Sequence, residues 1–182
     1  LAALFSLDSL GGGFVVQALL VYWLRLRFGL SLEATGAVFF AIGVLNGLSQ
    51  LVSPWVAARV GLIQTMVYTH IPANLFLVLA GVVPSPGAAV AFLLCRAALS
   101  SMDVPARQAY VMAIVPPEER AAAATVTNIP RSLATAIPPL FTGLLLERSS
   151  FGGPLVIAGA LKTAYDLMLF AQFRARPPAE DA

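Results

Sequence analysis

Charged residues are scarce in this chain of 182 residues, since Asp, Glu, Lys and Arg make up 11% of it, against about 25% in an ordinary soluble domain. Cysteine occurs once, at Cys95, which excludes an internal disulfide and a cysteine-based metal site. His70 is the single histidine, and a usual zinc site needs several nitrogen or sulfur ligands. We therefore expect neither a metal nor a cofactor.

Motifs of catalysis and of nucleic-acid binding are also missing. The chain has no G-x-S-x-G and no H-E-x-x-H, and its histidine has no Ser or Cys at motif spacing. Its eleven Lys and Arg residues are scattered, without the cluster that follows a phosphate backbone. We predict that the protein is not an enzyme and does not bind nucleic acid.

Apolar sequence, by contrast, is abundant, at 59% hydrophobic residues. A helix of about 20 apolar residues crosses the roughly 30 Å hydrocarbon layer of a membrane. Six runs are long enough and only short loops separate them, which predicts an all-α, integral multi-pass membrane protein in the lipid bilayer. The predicted transmembrane helices cover residues 1–24, 32–57, 62–83, 88–115, 118–146 and 155–173, and a polar C-terminal tail covers 174–182.

The arginines of the loops predict the orientation of the chain. An even number of spans places both termini on one side, and the positive-inside rule makes the side richer in arginine cytoplasmic. We therefore predict cytoplasmic termini in the plasma or inner cell membrane. The side of the termini carries Arg59, Arg120, Arg174 and Arg176, with Arg107 close to it, against Arg25, Arg27 and Arg148 on the other side.

Two further features concern the organisation of the spans. The loop "ARVG" follows the second span and "ERSSFGG" follows the fifth, each in the middle of a three-helix group, as a three-plus-three inverted repeat requires. The chain starts at Leu1 rather than Met, directly inside the first span. This start favours a fragment of a longer protein.

Ionisable residues inside the spans are the candidate functional residues, because such side chains are costly in lipid and usually face protein or water. In span one, Asp8 precedes Gly11, Gly12 and Gly13, which permit close helix contact. This carboxylate could exchange a proton or hold a cation during transport. The alternatives are a position at the wet end of the helix or an ion pair with a neighbouring arginine.

Span four carries Arg96, Asp103 and Arg107, which regular helical spacing would place on one stripe. Such a stripe predicts either a polar seam along a cavity or a structural ion pair between Asp103 and Arg107. Arg96 lies deeper in the span and is the stronger candidate for substrate binding or coupling.

Spans five and six carry three more charges. Arg131 has two equal alternatives, which are binding an anionic group and neutralising a carboxylate such as Asp103 or Asp166. Lys162 and Asp166 lie one helical turn apart, which favours an intrahelical ion pair. Uncharged polar residues of the spans could bind a solute or join helices; they are Gln17, Asn46, Gln50, His70 and Asn74.

Three segments carry a family resemblance. "PWVAARVGLI" keeps Arg59 and Gly61 of a G-x-L-A-D-R-x-G-R-K type loop motif, although Ala58 stands where the acid is usual. "RAALSSMDVPARQAYVMAIVPPEERAAAATVTNIPRSL" resembles a fourth helix with a buried arginine, here Arg96, then a P-x-E-x-R loop ending at Arg120. "IPPLFTGLL" resembles the Pro- and Gly-bearing helix of exporter-like members. Essentially the whole chain resembles the C-terminal six-helix half of a major facilitator superfamily transporter.

The resemblance implies half of a twelve-helix fold with a central cavity, a solute bound near the midplane, and halves that rock to alternate access. It implies that spans one, two, four and five line the cavity or its ends, whereas spans three and six pack outside, which weakens the case for Lys162 and Asp166. The favoured substrate or coupling residues are Asp8, Gln17, Asn46, Arg96 and Arg131. The structural or gating candidates are Arg59, Gly61, Asp103, Arg107, Arg120, Lys162 and Asp166.

We predict an ion-coupled secondary transporter, driven by protons, that exports a small organic solute as an antiporter. The missing N-terminal half or a second copy would complete the cavity. One alternative is a facilitator or uptake carrier, and another is a non-transporting sensor or assembly protein built on the same bundle.

Overall fold

The computed structural model describes residues 2–148 and 151–173, and these residues form α-helices joined by short turns, without a strand. The predicted tail at residues 174–182 lies outside the described residues. The helices of the described part are α1 (Ala2–Gly13), α2 (Gln17–Phe28), α3 (Leu32–Val60), α4 (Leu62–Val82), α5 (Pro86–Ser100), α6 (Asp103–Ile114), α7 (Arg120–Ala136), α8 (Pro138–Arg148) and α9 (Gly153–Phe173), with a 3₁₀ turn at Pro117–Glu119.

Six segments of the described chain are long and apolar enough to cross a bilayer. We call them spans one to six, and three of them combine two helices each. In order they are Ala3–Phe28, Leu32–Val60, Leu62–Val82, Pro86–Ala113, Pro117–Arg148 and Gly153–Gln172.

Span one is interrupted between α1 and α2. The amides of Phe14 and Val15 donate to Gly11 and Gly12 at 3.3 and 3.1 Å, which tightens the last turn of α1. Val16 is then extended, with φ −58° and ψ 148°. A glycine run weakens a helix because it loses more backbone entropy than any other residue on folding. The interruption therefore falls directly after the glycines.

Span four is interrupted between α5 and α6, at Ser101 and Met102. Pro105 has no amide to donate to the carbonyl of Ser101, so the regular helical hydrogen bond is impossible there. The Met102 amide donates instead to Leu99 at 3.2 Å. Span two braces this turn, because the Ser53 hydroxyl donates to the Met102 carbonyl at 2.6 Å.

Span five is interrupted at Ile137, directly before Pro138. Ile137 keeps helical backbone angles, with φ −75° and ψ −50°, but Pro138 and Pro139 have no amide to donate to the carbonyls of the preceding turn, which ends the regular hydrogen bonding of α7 there. This turn packs against the interruption of span one, since a Cβ added at Gly13 would lie 2.6 Å from the Thr135 carbonyl oxygen and 2.8 Å from Pro138 Cγ. Pro130, in contrast, lies inside α7 without ending it.

The bundle is packed most tightly around spans three and six. In the most apolar stretch of span three 56% of the residues are buried, against 11% in span two and 17% in span five. The end of α4 lies close to the start of α9, because a Cβ added at Gly81 would lie 2.9 Å from the Gly152 carbonyl oxygen. Spans two and five thus each leave apolar side chains uncovered within the described chain, among them Phe40, Leu51, Trp55, Leu133 and Leu140.

Candidate functional site

A carboxylate from span one lies at the centre of a buried charge cluster. Asp8 on α1 is 6% exposed, and its Oδ1 accepts a hydrogen bond of 2.5 Å from the ammonium of Lys162 on α9. Its Oδ2 lies 3.4 Å from the guanidinium of Arg107 on α6. Gly11 makes room for this arrangement, since a Cβ there would lie 2.9 Å from Lys162 Cγ. One side chain therefore connects three spans.

Arg107 extends this cluster within α6. Its Nη1 also pairs with Asp103 Oδ2 at 3.0 Å, one turn earlier, which confirms the predicted ion pair. Its guanidinium carbon lies 5.6 Å from the ring centre of Phe5, an arrangement in which the ring face attracts the cation. We call Asp8, Asp103, Arg107 and Lys162 the charge cluster; two carboxylates face two cations in it.

A second polar group joins spans three and six. Asp166 is fully buried, and its two oxygens lie 2.9 Å from His70 Nδ1 and 2.8 Å from Asn74 Nδ2. The ring of Tyr165 meets those of His70 and Phe5 edge to face, at 6.3 and 6.4 Å between centres. Buried polar groups need such partners because an unpaired one carries a desolvation penalty. His70 is thus part of a polar seam, one of the roles foreseen for it.

The expected ion pair between Lys162 and Asp166 was wrong, because each side chain has a partner on another helix. Lys162 pairs with Asp8, and Asp166 with His70 and Asn74. The resemblance placed spans three and six outside the cavity, and the lining residues of the cavity described below do not come from them; Lys162 and Asp166 nevertheless take part in buried contacts between helices. An intrahelical pair contributes only about 0.2–0.5 kcal/mol, which buried contacts between helices outweigh.

Arg131 makes no direct ion pair with the carboxylates suggested for it among the described residues. Its Nε donates to the Ser9 hydroxyl at 3.1 Å, and within the described residues it pairs with neither Asp103 nor Asp166. The Thr135 hydroxyl fixes this contact from the next turn, since it reaches the carbonyls of Ser9 and Arg131 at 3.3 and 2.9 Å. Asp8 and Asp103 are still close enough to Arg131 for a Coulombic interaction, so both alternatives for this residue stay predictions.

The predicted stripe through span four is interrupted. Arg96 lies on α5 and Asp103 begins α6, so the regular spacing does not continue across the turn at Ser101. Arg96 Nε is buried without a hydrogen-bond partner among the described residues. Asp8 is close enough to Arg96 for a Coulombic interaction. Arg96 therefore borders the charge cluster without belonging to it.

The two uncharged candidates lie away from the charge cluster. Gln17 is exposed at the start of α2, beyond the interruption of span one. Asn46 on α3 accepts a hydrogen bond of 3.0 Å from the Ser101 hydroxyl, so it holds span two against the turn of span four. The structure therefore separates both residues from Asp8.

The loop residues of the family resemblance lie at helix ends. Gly61 has φ 93° and ψ 160°, a conformation that only glycine adopts without strain. Arg59 stacks on Trp55, with its guanidinium carbon 3.3 Å from the ring centre. Arg120 closes the turn between α6 and α7 by donating to the carbonyls of Met112 and Val115 at 3.0 and 3.4 Å.

A cavity of about 330 Å³ opens beside the charge cluster, between α1, α6 and α7. Arg107 and Arg131 both line it, so two guanidinium groups contact the same cavity. Sequence reasoning missed most of its other lining residues. The polar ones could have been found as polar residues inside an apolar run, whereas the apolar ones carry no signal. These other lining residues are Phe5, Gln108, Val111, Met112, Ala124, Thr127 and Asn128.

Six apolar spans around buried charges, with a cavity that two arginines line, define a multi-pass helical membrane protein with the features of a solute transporter. The model of the Major Facilitator Superfamily matches residues 1–182, the whole chain. The chain belongs to this superfamily, whose members are membrane transporters of small-molecule solutes, and its bundle is half of the superfamily's fold. The resemblance predicted from the sequence is confirmed.

One curated relative comes from Saccharomyces cerevisiae and is described as the uncharacterized membrane protein YJR124C. It is 28% identical over 174 residues, which are 95% of this chain and 39% of the relative. The chain therefore spans about two fifths of the length of that relative. No solved structure matches the chain.

The seam between spans three and six makes a prediction about stability. Asn74→Leu removes one of the two donors to the buried Asp166 carboxylate. An unpaired buried acceptor costs about 1–3 kcal/mol, so we expect that loss in the free energy of unfolding, measured by denaturant titration in mild detergent. Gln50→Leu is the matched control because Gln50 is exposed in span two. Equal stability of the two variants would contradict the prediction.

Proposed function

We propose that this chain holds the coupling centre of a proton-driven secondary transporter that exports a small organic solute by alternating access. The observation that carries the proposal is the position of Asp8, whose carboxylate contacts Lys162 and Arg107 on two other spans. An ionised Asp8 attracts both cations and holds spans one, four and six together. A proton on Asp8 removes that attraction, so proton binding and movement of span one are linked.

The interruptions of spans one and five support movement at this place. Discontinuous helices line the sites of many transporters, where a cavity or neighbouring protein satisfies the freed backbone groups. Here two interruptions pack on each other through Gly13 and Pro138. In our proposal α1, with Asp8, tilts about this contact when the proton binds.

The uncovered apolar side chains of spans two and five support a second bundle. Phe40, Leu51 and Leu140 are each more than 70% exposed, and large exposed apolar patches mark an interface or a lipid contact. We propose that the N-terminal six-helix half, or a second copy, covers these side chains and closes the cavity. The export direction rests on the exporter-like segment "IPPLFTGLL", within which span five is interrupted.

Flux in proteoliposomes tests this function. The full-length protein is reconstituted, a proton gradient is imposed in either direction, and cationic, neutral and anionic compounds are screened. We expect solute to move against the direction of proton flow and the movement to stop when a protonophore removes the gradient. Flux that does not depend on the proton gradient would identify a facilitator. Flux in the same direction as the protons would identify an uptake carrier. No flux for any compound would favour a sensor.

A further inference from the structure

We propose that the cavity between α1, α6 and α7 binds the carboxylate of a small amphipathic anion through Arg131. The inference rests on the proposed transport function and names the chemical class of its solute. It starts from the difference between the two guanidinium groups that line the cavity. Arg107 is paired with Asp103 and Asp8 at 3.0 and 3.4 Å, whereas the partner of Arg131 is the uncharged Ser9.

Arg131 is the guanidinium group of the cavity wall that has no direct ion pair among the described residues. The charge cluster has two carboxylates, Asp8 and Asp103, and two cations, Arg107 and Lys162, so it is neutral. Arg131 then adds one positive charge to the wall of the cavity. A charge inside a membrane span is costly unless it is paired or hydrated. An anionic solute would supply the missing charge.

The geometry of Arg131 leaves donors for that anion. A guanidinium group has five N–H donors, and the contact with Ser9 uses the one at Nε. That contact holds the side chain of Arg131 at Ser9. The Thr135 hydroxyl, which does not line the cavity, contacts the backbone carbonyls of the same two residues. The two terminal nitrogens lie in the plane that binds a carboxylate with two parallel hydrogen bonds.

The remaining walls define the rest of the solute. Phe5, Val111 and Met112 form an apolar surface, whereas Gln108 and Asn128 supply amide groups. The volume of about 330 Å³ is near the lower end of the range of about 300–1,000 Å³ for small-molecule sites. These features fit a compact molecule with one carboxylate and an aromatic or aliphatic body.

Binding of matched carboxylates and amides tests the inference. Benzoate, phenylacetate and octanoate are compared with benzamide, phenylacetamide and octanamide on the full-length protein in phosphatidylcholine nanodiscs, by calorimetry. We expect at least one acid to bind and its amide to bind at least about tenfold more weakly, the effect of losing one or two charge-assisted hydrogen bonds. Arg131→Gln should weaken the acid by a similar factor and leave the amide unchanged, and Arg131→Lys should retain part of the affinity.

Arg25→Gln is the matched control, since it removes one positive charge from an exposed position at the other end of span one. Acids that bind no better than their amides, or as well to Arg131→Gln, would overturn the inference. So would displacement of the acid by phosphatidylglycerol in the nanodisc, because Arg131 would then hold a lipid headgroup.

The flux assay separates this inference from the proposed function. Proton-driven flux of a neutral or cationic compound that persists in Arg131→Gln would overturn the carboxylate site and leave the coupled transporter standing. Carboxylate binding that depends on Arg131, without any proton-driven flux, would support the site and contradict the proposed function.

Discussion

Replacing Asp8 with Asn is expected to reduce proton-driven solute flux to the level of protein-free liposomes. Asn has nearly the same shape but carries no negative charge and has no group that takes up or releases a proton in the physiological pH range, so span one can no longer respond to the proton gradient. Exchange of solute between the two sides, which needs no gradient, should continue. The measurement is flux in proteoliposomes with and without an imposed gradient, and Glu33→Gln is the control because Glu33 is an exposed acid at the start of α3.

The partner of Asp8 separates loss of coupling from loss of folding. Asp8→Asn leaves the buried Lys162 without its carboxylate, and breaking a buried pair costs about 3–5 kcal/mol. Lys162→Met leaves Asp8 with the longer contact to Arg107 and should be destabilised as well. The double variant has neither charge, while Arg107 keeps Asp103. We expect it to recover most of the stability of the native protein and none of the proton-driven flux.

Two results would contradict this account. Proton-driven flux that survives in Asp8→Asn would move the coupling group elsewhere, to the Asp166 seam or to the other bundle. A double variant that is no more stable in thermal unfolding than either single variant would show that the two side chains do not depend on each other. The two single variants and the double variant are all needed, because substitutions of residues in contact do not change the free energy of unfolding additively.

The spans could be predicted from the sequence because length and hydropathy alone decide whether a helix crosses a bilayer. The need of Asp8 for a partner could also be predicted, since a carboxylate within an apolar run is costly unless it is paired or hydrated. The identity of that partner could not. Lys162 is 154 residues away in the chain, and only the packing of α9 on α1 brings the two together.

The interruptions of the spans were only partly visible. Pro138 and Pro139 form a visible signal, because a proline pair breaks the hydrogen bonding of a helix, and α7 does end there. Pro105 is an equally good signal for the turn at Ser101. The spacing of the charges of span four instead predicted one regular helix with a continuous stripe. The glycines of span one predicted close contact with other helices, which Gly11 and Gly13 make. They did not reveal the interruption, because a glycine run is compatible with both a packed helix and a broken one.

Gly13→Leu is expected to prevent the bundle from folding, and Gly13→Ala to lower its stability by about 3 kcal/mol, at the upper end for overpacking. The Cβ of alanine would lie 2.6 Å from the Thr135 carbonyl oxygen and 2.8 and 2.9 Å from Pro138 Cγ and Cδ. Neither group can turn away, since one is backbone and the other a closed ring. The two interrupted spans would have to separate.

The measurement is the yield of monodisperse protein in detergent, followed by thermal unfolding of the variants that fold. Gly87→Ala is the control, because its Cβ would meet only Ser85 Oγ, at 3.9 Å, on the exposed first turn of α5. A stable Gly13→Ala protein would mean that spans one and five do not touch at their interruptions. The proposed pivot of α1 would then have no contact to turn on, whereas a destabilised Gly13→Ala beside an unaffected Gly87→Ala would support the close contact that the pivot requires.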